Sequence, residues 1–118
     1  MKTQLEARIA DEVGDTLLLL EHDPVYTIGR RRGAMNNIVR PEGVPVIEVE
    51  RGGDVTFHGP GQLVGYPICK LPEHRHDLHA WMRGLETVCC RVLDRFGVKG
   101  GSDPRNTGVW VDGQKMVA

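Results

Sequence analysis

An α/β (α+β) domain is what this sequence predicts, on three observations. Short apolar runs bounded by Gly, Pro, Asn and Asp read as strands. One long stretch, about residues 77–96, repeats its apolar residues at helical intervals. The glycine-rich run Arg51-Gly52-Gly53-Asp54-Val55-Thr56-Phe57-His58-Gly59-Pro60-Gly61-Gln62 links two strand-like segments.

In chain order, residues 3–12 are predicted helical, with Leu5 and Ile9 on one face, and Gly14-Asp15 stops that element. Residues 16–21 follow as a strand whose four adjacent leucines predict cover on both faces. Asp23-Pro24 turns the chain into a second strand, 25–28, and a polar loop runs on through Asn36-Asn37. Within that loop, Arg30-Arg31-Arg32 together with Arg40 form a basic patch, which reads either as a solvated loop or as a surface for an acidic partner. Pro45 introduces a strand over 46–50.

Inside the glycine-rich run, 55–57 reads as a brief strand and 58–61 as a turn; 63–69 is the next strand, with Pro67 pointing to an edge or a bulge. The helix at 77–96 sets Leu78, Trp81, Met82, Leu85, Val88, Cys89, Val92 and Phe96 on one apolar face, with Asp77 capping its start and Gly97 its end. Coil is predicted from Val98. Two late strands, 109–111 and 115–118, are joined by the hairpin dipeptide Asp112-Gly113.

Length and balance fit one compact soluble domain: 118 residues, a net charge of -1 and 40% hydrophobic residues. The longest apolar run, Leu17 to Leu20, is too short to span a bilayer, and Met1 is followed by a mixed polar stretch rather than a signal sequence. Cys69, Cys89 and Cys90 form an odd set without a CxxC pair, so a reducing, cytoplasmic setting is expected and neither a disulfide framework nor a thiolate metal site is. Near-neutral charge gives no general attraction to nucleic acid.

The glycine-rich run admits two readings. Gly52, Gly53, Gly59 and Gly61 allow a ligand to approach bare backbone, or they serve elaborate turns. Residues 29–33 lack the pattern of a phosphate loop. His74, His76 and His79 cluster without an aligned carboxylate or thiol and read as solvated; Trp81 and Trp110 read as packing residues.

A specific resemblance then enters. Leu17-Leu18-Leu19-Leu20-Glu21-His22 leads to Pro24-Val25-Tyr26-Thr27-Ile28-Gly29-Arg30. Arg51-Gly52-Gly53 is followed by Thr56-Phe57-His58-Gly59-Pro60-Gly61-Gln62-Leu63-Val64-Gly65-Tyr66-Pro67, and Gly108-Val109-Trp110-Val111 reaches Lys115. In this order they resemble the octanoyltransferase family, also called lipoate-protein ligase B, of the biotinyl/lipoyl protein ligase superfamily. The resemblance implies a mixed twisted sheet flanked by helices, like the catalytic domain of those ligases and incomplete at its C-terminus, with residues 1–118 a single, partial catalytic domain. It implies an octanoyltransferase of protein lipoylation, working in the cytoplasm. The donor would be octanoyl-acyl carrier protein. The acceptors would be lysines of the lipoyl domains of 2-oxoacid dehydrogenases and of the glycine cleavage H protein. No cofactor, metal, nucleic acid or membrane is implied.

By the same resemblance Lys115 matches the family's catalytic lysine, partner of a cysteine that forms an acyl thioester. Arg51, Gly52, Gly53, His58, Gly59, Pro60, Gly61 and Gln62 match the loops around the acyl pocket. The family cysteine lies in an Asn-Pro-Cys-Gly-like segment beyond this lysine, and none of Cys69, Cys89 and Cys90 corresponds to it. The chain therefore reads as the larger amino-terminal part of a family domain, with little activity expected of it alone. Two alternatives stay open: an inactive fragment or non-catalytic acyl-domain binding module, and a ligase that activates lipoate with ATP.

Overall fold

A computed structural model describes residues 2–39, 43–73 and 76–118. The chain divides into two compact units, Met1–Lys70 and Leu71–Ala118. Arg40 and His74, both singled out above, lie outside the described residues.

In the first unit, helix α1 (Lys2–Ile9) precedes strand β1 (Thr16–Leu20). Two anchors hold the helix: Gln4 Nε2 donates to Thr16 Oγ1 at 3.1 Å, and Arg8 reaches both Asp11 and Asp15. Strand β1 pairs antiparallel with a strand that comes later in the chain, Val64–Ile68, so that Leu17 faces Pro67. Pro67 donates no N–H, which a two-stranded ladder tolerates because each strand keeps a free edge.

A second sheet is mixed. Strand β2 (Val25–Ile28) lies at its centre, parallel to β3 (Val46–Glu48) on one side and antiparallel to β4 (Val55–His58) on the other; Val64–Ile68 is then β5. A 3-10 turn over Ala34–Asn37 buries Ala34; Ile28 on β2 and Ile68 on β5 are also buried.

The second unit sets helix α2 (Leu78–Arg95) beside an antiparallel meander of β6 (Gly101–Asp103), β7 (Asn106–Val111) and β8 (Gln114–Val117). Asp77 caps α2 by accepting from the Ala80 N–H at 3.0 Å, and Gly97 follows it at φ 75°, as a helix stop requires. Asp112 and Gly113, at φ 49° and 77°, make the tight β7–β8 hairpin. Val109 is fully buried.

The expected class, twisted strands with flanking helices, is the one found, although the strands form three small sheets. Three local expectations are corrected. Strand β1 is covered on one face only, because it pairs in a ladder of two strands: Leu17 and Leu19 are exposed while Leu18 and Leu20 are half-buried. Residues 101–103, read as coil, form β6, since pairing with β7 supplies the ladder bonds that Gly-Ser-Asp would not favour by propensity. Helix α2 turns Glu86 rather than its apolar stripe inward, and leaves Leu78, Met82, Val88, Val92 and Phe96 exposed. Among the described residues no helix is long and apolar enough to cross a membrane.

Candidate active site

The Arg51–Gly53 segment folds back on β2. Amides of Gly29, Arg30 and Arg31 donate to the carbonyls of Asp54, Arg51 and Gly53, which binds the two stretches into one double layer of backbone. That approach leaves no room for a side chain at Gly29: a Cβ there would lie 2.5 Å from the Gly53 oxygen and 2.7 Å from that of Gly52. Arg51 is the clamp. Its Nη2 donates to Thr27 O, Thr27 Oγ1 and Thr56 Oγ1 at 2.9–3.0 Å, and its Nη1 to Gly52 O at 3.0 Å. Four hydrogen bonds from one guanidinium fix the loop's shape, so the observed work of Arg51 is structural.

His58 ends β4 instead of starting the turn. Gly59-Pro60-Gly61-Gln62 is the turn proper, closed by Gln62 N–H to Gly59 O at 3.1 Å, with Gly61 at φ 83°. Proline followed by a positive-φ glycine is the signature of a type II turn. Gln62 Oε1 lies 2.8 Å from His58 Nδ1, which holds the ring against the turn. The Gly61 N–H donates to Glu21 Oε2 at 2.7 Å, which ties the turn to the end of β1.

The two predicted loops sit at opposite ends of β4, yet they share a face. Thr56 and His58 alternate onto the same side of the sheet. The Arg51 guanidinium lies at Thr56, and His58 follows about 7 Å further along the strand at 3.3 Å per residue. Gly52, Gly53, Pro60, Gly61 and Gln62 are exposed and Gly59 is buried.

In the second unit, Lys115 stands opposite Trp110 across the β7–β8 ladder, its ammonium 5.1 Å from the centre of the indole ring. Its stem runs over Gly108, whose absent side chain would otherwise meet Lys115 Cε at 3.1 Å.

Compared with known protein families, the chain fits the lipoyl protein ligase A/B catalytic domain over residues 1–118. The chain belongs to this family. It is similar to several octanoyltransferases: it is 50% identical to that of Geobacter metallireducens over 100% of this chain and 55% of that protein. It is 51% identical to that of Caldicellulosiruptor bescii over 94% of this chain and 52% of the relative, and 50% identical to that of Rubrobacter xylanophilus over 94% and 52%. The chain spans about half the length of the curated relatives it matches.

Cys69 is exposed, and Cys89 and Cys90 are half-buried on α2. Burial first, then the neighbouring Cys90 and Glu86, push the Cys89 thiol up, which leaves it a poor nucleophile. His76 Nε2 is engaged by the Leu71 carbonyl at 2.7 Å, and no cluster of metal-ligating side chains occurs among the described residues. Arg30, Arg31 and Arg32 are exposed, with Arg31 paired to Asp54 at 3.3 Å. A cavity of about 250 Å³ lined by Ile28, Gly29, Arg31, Ala34, Met35 and Val49 contains none of the predicted acyl-site residues.

Sequence reading had not nominated four residues that the structure sets beside predicted ones: Glu21, His22 and Tyr66 in the first unit, and Glu86 in the second. His22 lies beside His58, ring centres 5.3 Å apart, and its Nε2 is 2.8 Å from the Tyr66 hydroxyl. With Glu21 on the turn amide, these make a polar end to β1 and β5. His22 and Tyr66 stood within matched stretches, but they are 44 residues apart in sequence, and only the β1–β5 pairing joins them. Glu86 is the fourth. Its i,i+3 spacing to Arg83 was the one available signal.

Proposed function

We propose that this chain supplies the acyl-binding loops and the catalytic lysine of an octanoyltransferase. The enzyme moves an octanoyl group from acyl carrier protein to a lysine of a lipoyl-accepting domain, in the cytoplasm. The observation that carries the reading is the family match over residues 1–118, joined to a rigid Arg51-clamped loop whose exposed Gly52 and Gly53 precede β4, the strand that His58 ends. Residues 1–118 act as one partial catalytic domain.

In this mechanism Gly52, Gly53, Gly59, Pro60 and Gly61 offer backbone to the acyl thioester. His58 and Gln62 form the wall, and Arg51 acts by holding the loop's shape. Lys115 serves as acid/base beside a cysteine thiolate, whose charge its ammonium favours. The thiolate attacks the donor thioester and expels the carrier thiol, and the acceptor amine then takes the acyl group from the enzyme. Donor and acceptor domains of this kind are acidic, and Arg30 to Arg32 assist their encounter.

A second reading, that the 118 residues bind acyl domains without turnover, is favoured by one observation: burial pushes the Cys89 thiol up, away from the thiolate a nucleophile needs. Intact mass after incubation with octanoyl-acyl carrier protein separates the two. The complete catalytic domain gains one octanoyl group as a hydroxylamine-labile thioester. The isolated chain binds the donor and gains none. An adduct dependent on ATP would turn the assignment to a lipoate-activating ligase.

A further inference from the structure

Glu86 is a charged residue in the wrong place for a solvated helix. Its carboxylate is buried on α2, where an unpaired charge is costly. It is fully engaged: Oε1 accepts the Gly108 N–H at 2.8 Å, and Oε2 accepts Arg83 Nη1 at 2.6 Å. Arg83 in turn donates to the carbonyls of Asp103 and Pro104 at the β6–β7 turn. The helix therefore grips the meander through the hydrogen bonds that its Arg83–Glu86 pair makes to meander backbone.

The residue it grips is the one on which the lysine rests. Gly108 adopts φ 112°, and a side chain there would collide with the Val117 carbonyl and crowd the Cε of Lys115. Helix α2 thus pins the floor, Lys115 lies over it, and Trp110 receives the ammonium.

We infer that Glu86 is a positioning residue for Lys115: it fixes Gly108 as the floor for the lysine stem and sets a buried negative charge in the same unit. The inference rests on the catalytic reading of Lys115 given above. The Gly108 N–H and then Arg83 hold the Glu86 carboxyl below its ordinary range, against the opposing effect of burial, with the charges of Arg83 and Lys115 adding to the same end. Asp103 and Arg105, on the β6–β7 turn, are the neighbouring charges of the meander.

Nuclear magnetic resonance of this chain tests the anchor without any turnover. The Gly108 amide proton is expected far downfield and moves upfield as acid protonates Glu86. The Lys115 ε-methylene protons are expected to be shielded by the Trp110 ring. In Glu86→Gln the Gly108 bond persists and its acid titration disappears. In Glu86→Ala the Lys115 shielding is lost, while the amides of Val109 and Val111 keep their hairpin shifts. If Glu86→Ala does not fold, Glu86→Asp decides by the same signals, since its charge remains but its reach is one methylene short. Lys115 protons that stay shielded in the Ala or Asp variant, or a Gly108 amide that ignores the titration, overturn the inference. Failure of the functional reading is separate: it shows as unchanged acyl transfer in Lys115→Ala, whatever the Gly108 amide does.

Discussion

Gly29 and Gly52 stand on the two sides of one backbone contact, and alanine at each should have opposite consequences. At Gly29 a methyl would meet two backbone oxygens at 2.5 and 2.7 Å and Arg51 Nη1 at 2.9 Å, against ordinary contacts that begin at 3.4 Å. The Arg51–Gly53 loop would have to retreat by close to an ångström, straining the three amide bonds from Gly29, Arg30 and Arg31. Overpacking of this kind costs about 1–3 kcal/mol, and each weakened hydrogen bond about 1 kcal/mol more, so Gly29→Ala should lose roughly 3–5 kcal/mol. Gly52 has open space where its methyl would go and no left-handed φ. Gly52→Ala should therefore leave stability unchanged or raise it by up to ~1 kcal/mol, by restricting the unfolded chain. If that open space is where acyl ligand meets backbone, Gly52→Ala should still weaken octanoyl-donor binding by about 10–100-fold, the equivalent of ~1–3 kcal/mol of overpacking. Both tryptophans, Trp81 and Trp110, lie in the second unit, so the unfolding must be followed by amide exchange of β2 and β4 rather than by tryptophan emission. An unaltered unfolding free energy for Gly29→Ala, or a stability loss confined to Gly52→Ala, would refute the packing argument. Full donor affinity in a folded Gly52→Ala would refute the ligand argument.

Three further outcomes are expected. Asp77→Ala removes the α2 cap and should cost the second unit about 1 kcal/mol, read as a lowered midpoint of tryptophan-monitored urea unfolding. Acid should destabilise through Asp54, Asp103 and Glu86. The Asn37 amide and Val55 N–H depress the first, Arg105 N–H and Asn106 the second, and Gly108 N–H and Arg83 the third. Folded values below the ordinary 3.8 and 4.5 mean that their contribution is complete above those values and is lost as pH falls through the folded ones, so the thermal midpoint should hold from pH 7 to about 4.5 and drop below it. Alkylation at neutral pH should label Cys69 before Cys89, counted by peptide mass; the reverse order would contradict the raised Cys89 thiol.

Much of this was legible in the residues, for definite reasons. Asp77 and Gly97 bracket α2 because capping and helix termination are local, and Asp112-Gly113 makes its hairpin because few dipeptides accept two positive φ values. The order of strands was readable for the same reason. What escaped depends on partners far away in sequence. The exposure of Leu17 and Leu19 follows from which strand pairs with β1, and β6 exists only because β7 offers it a ladder. In the site, the RGG and HGPGQ matches announced themselves, but not that Arg51 spends its guanidinium on Thr27 and Thr56. Glu86 was invisible because a single glutamate on a helix looks solvated until a buried amide is found beneath it.

In the proposed mechanism Lys115 manages the proton in acyl transfer to and from a cysteine of the complete domain. Intact mass of that domain after mixing with octanoyl-acyl carrier protein, taken over time for wild type and Lys115→Ala, tests it most directly. Thioester should accumulate in the wild type and form about 10²–10⁴-fold more slowly in the variant. Equal rates of thioester formation in two folded proteins would contradict the claim.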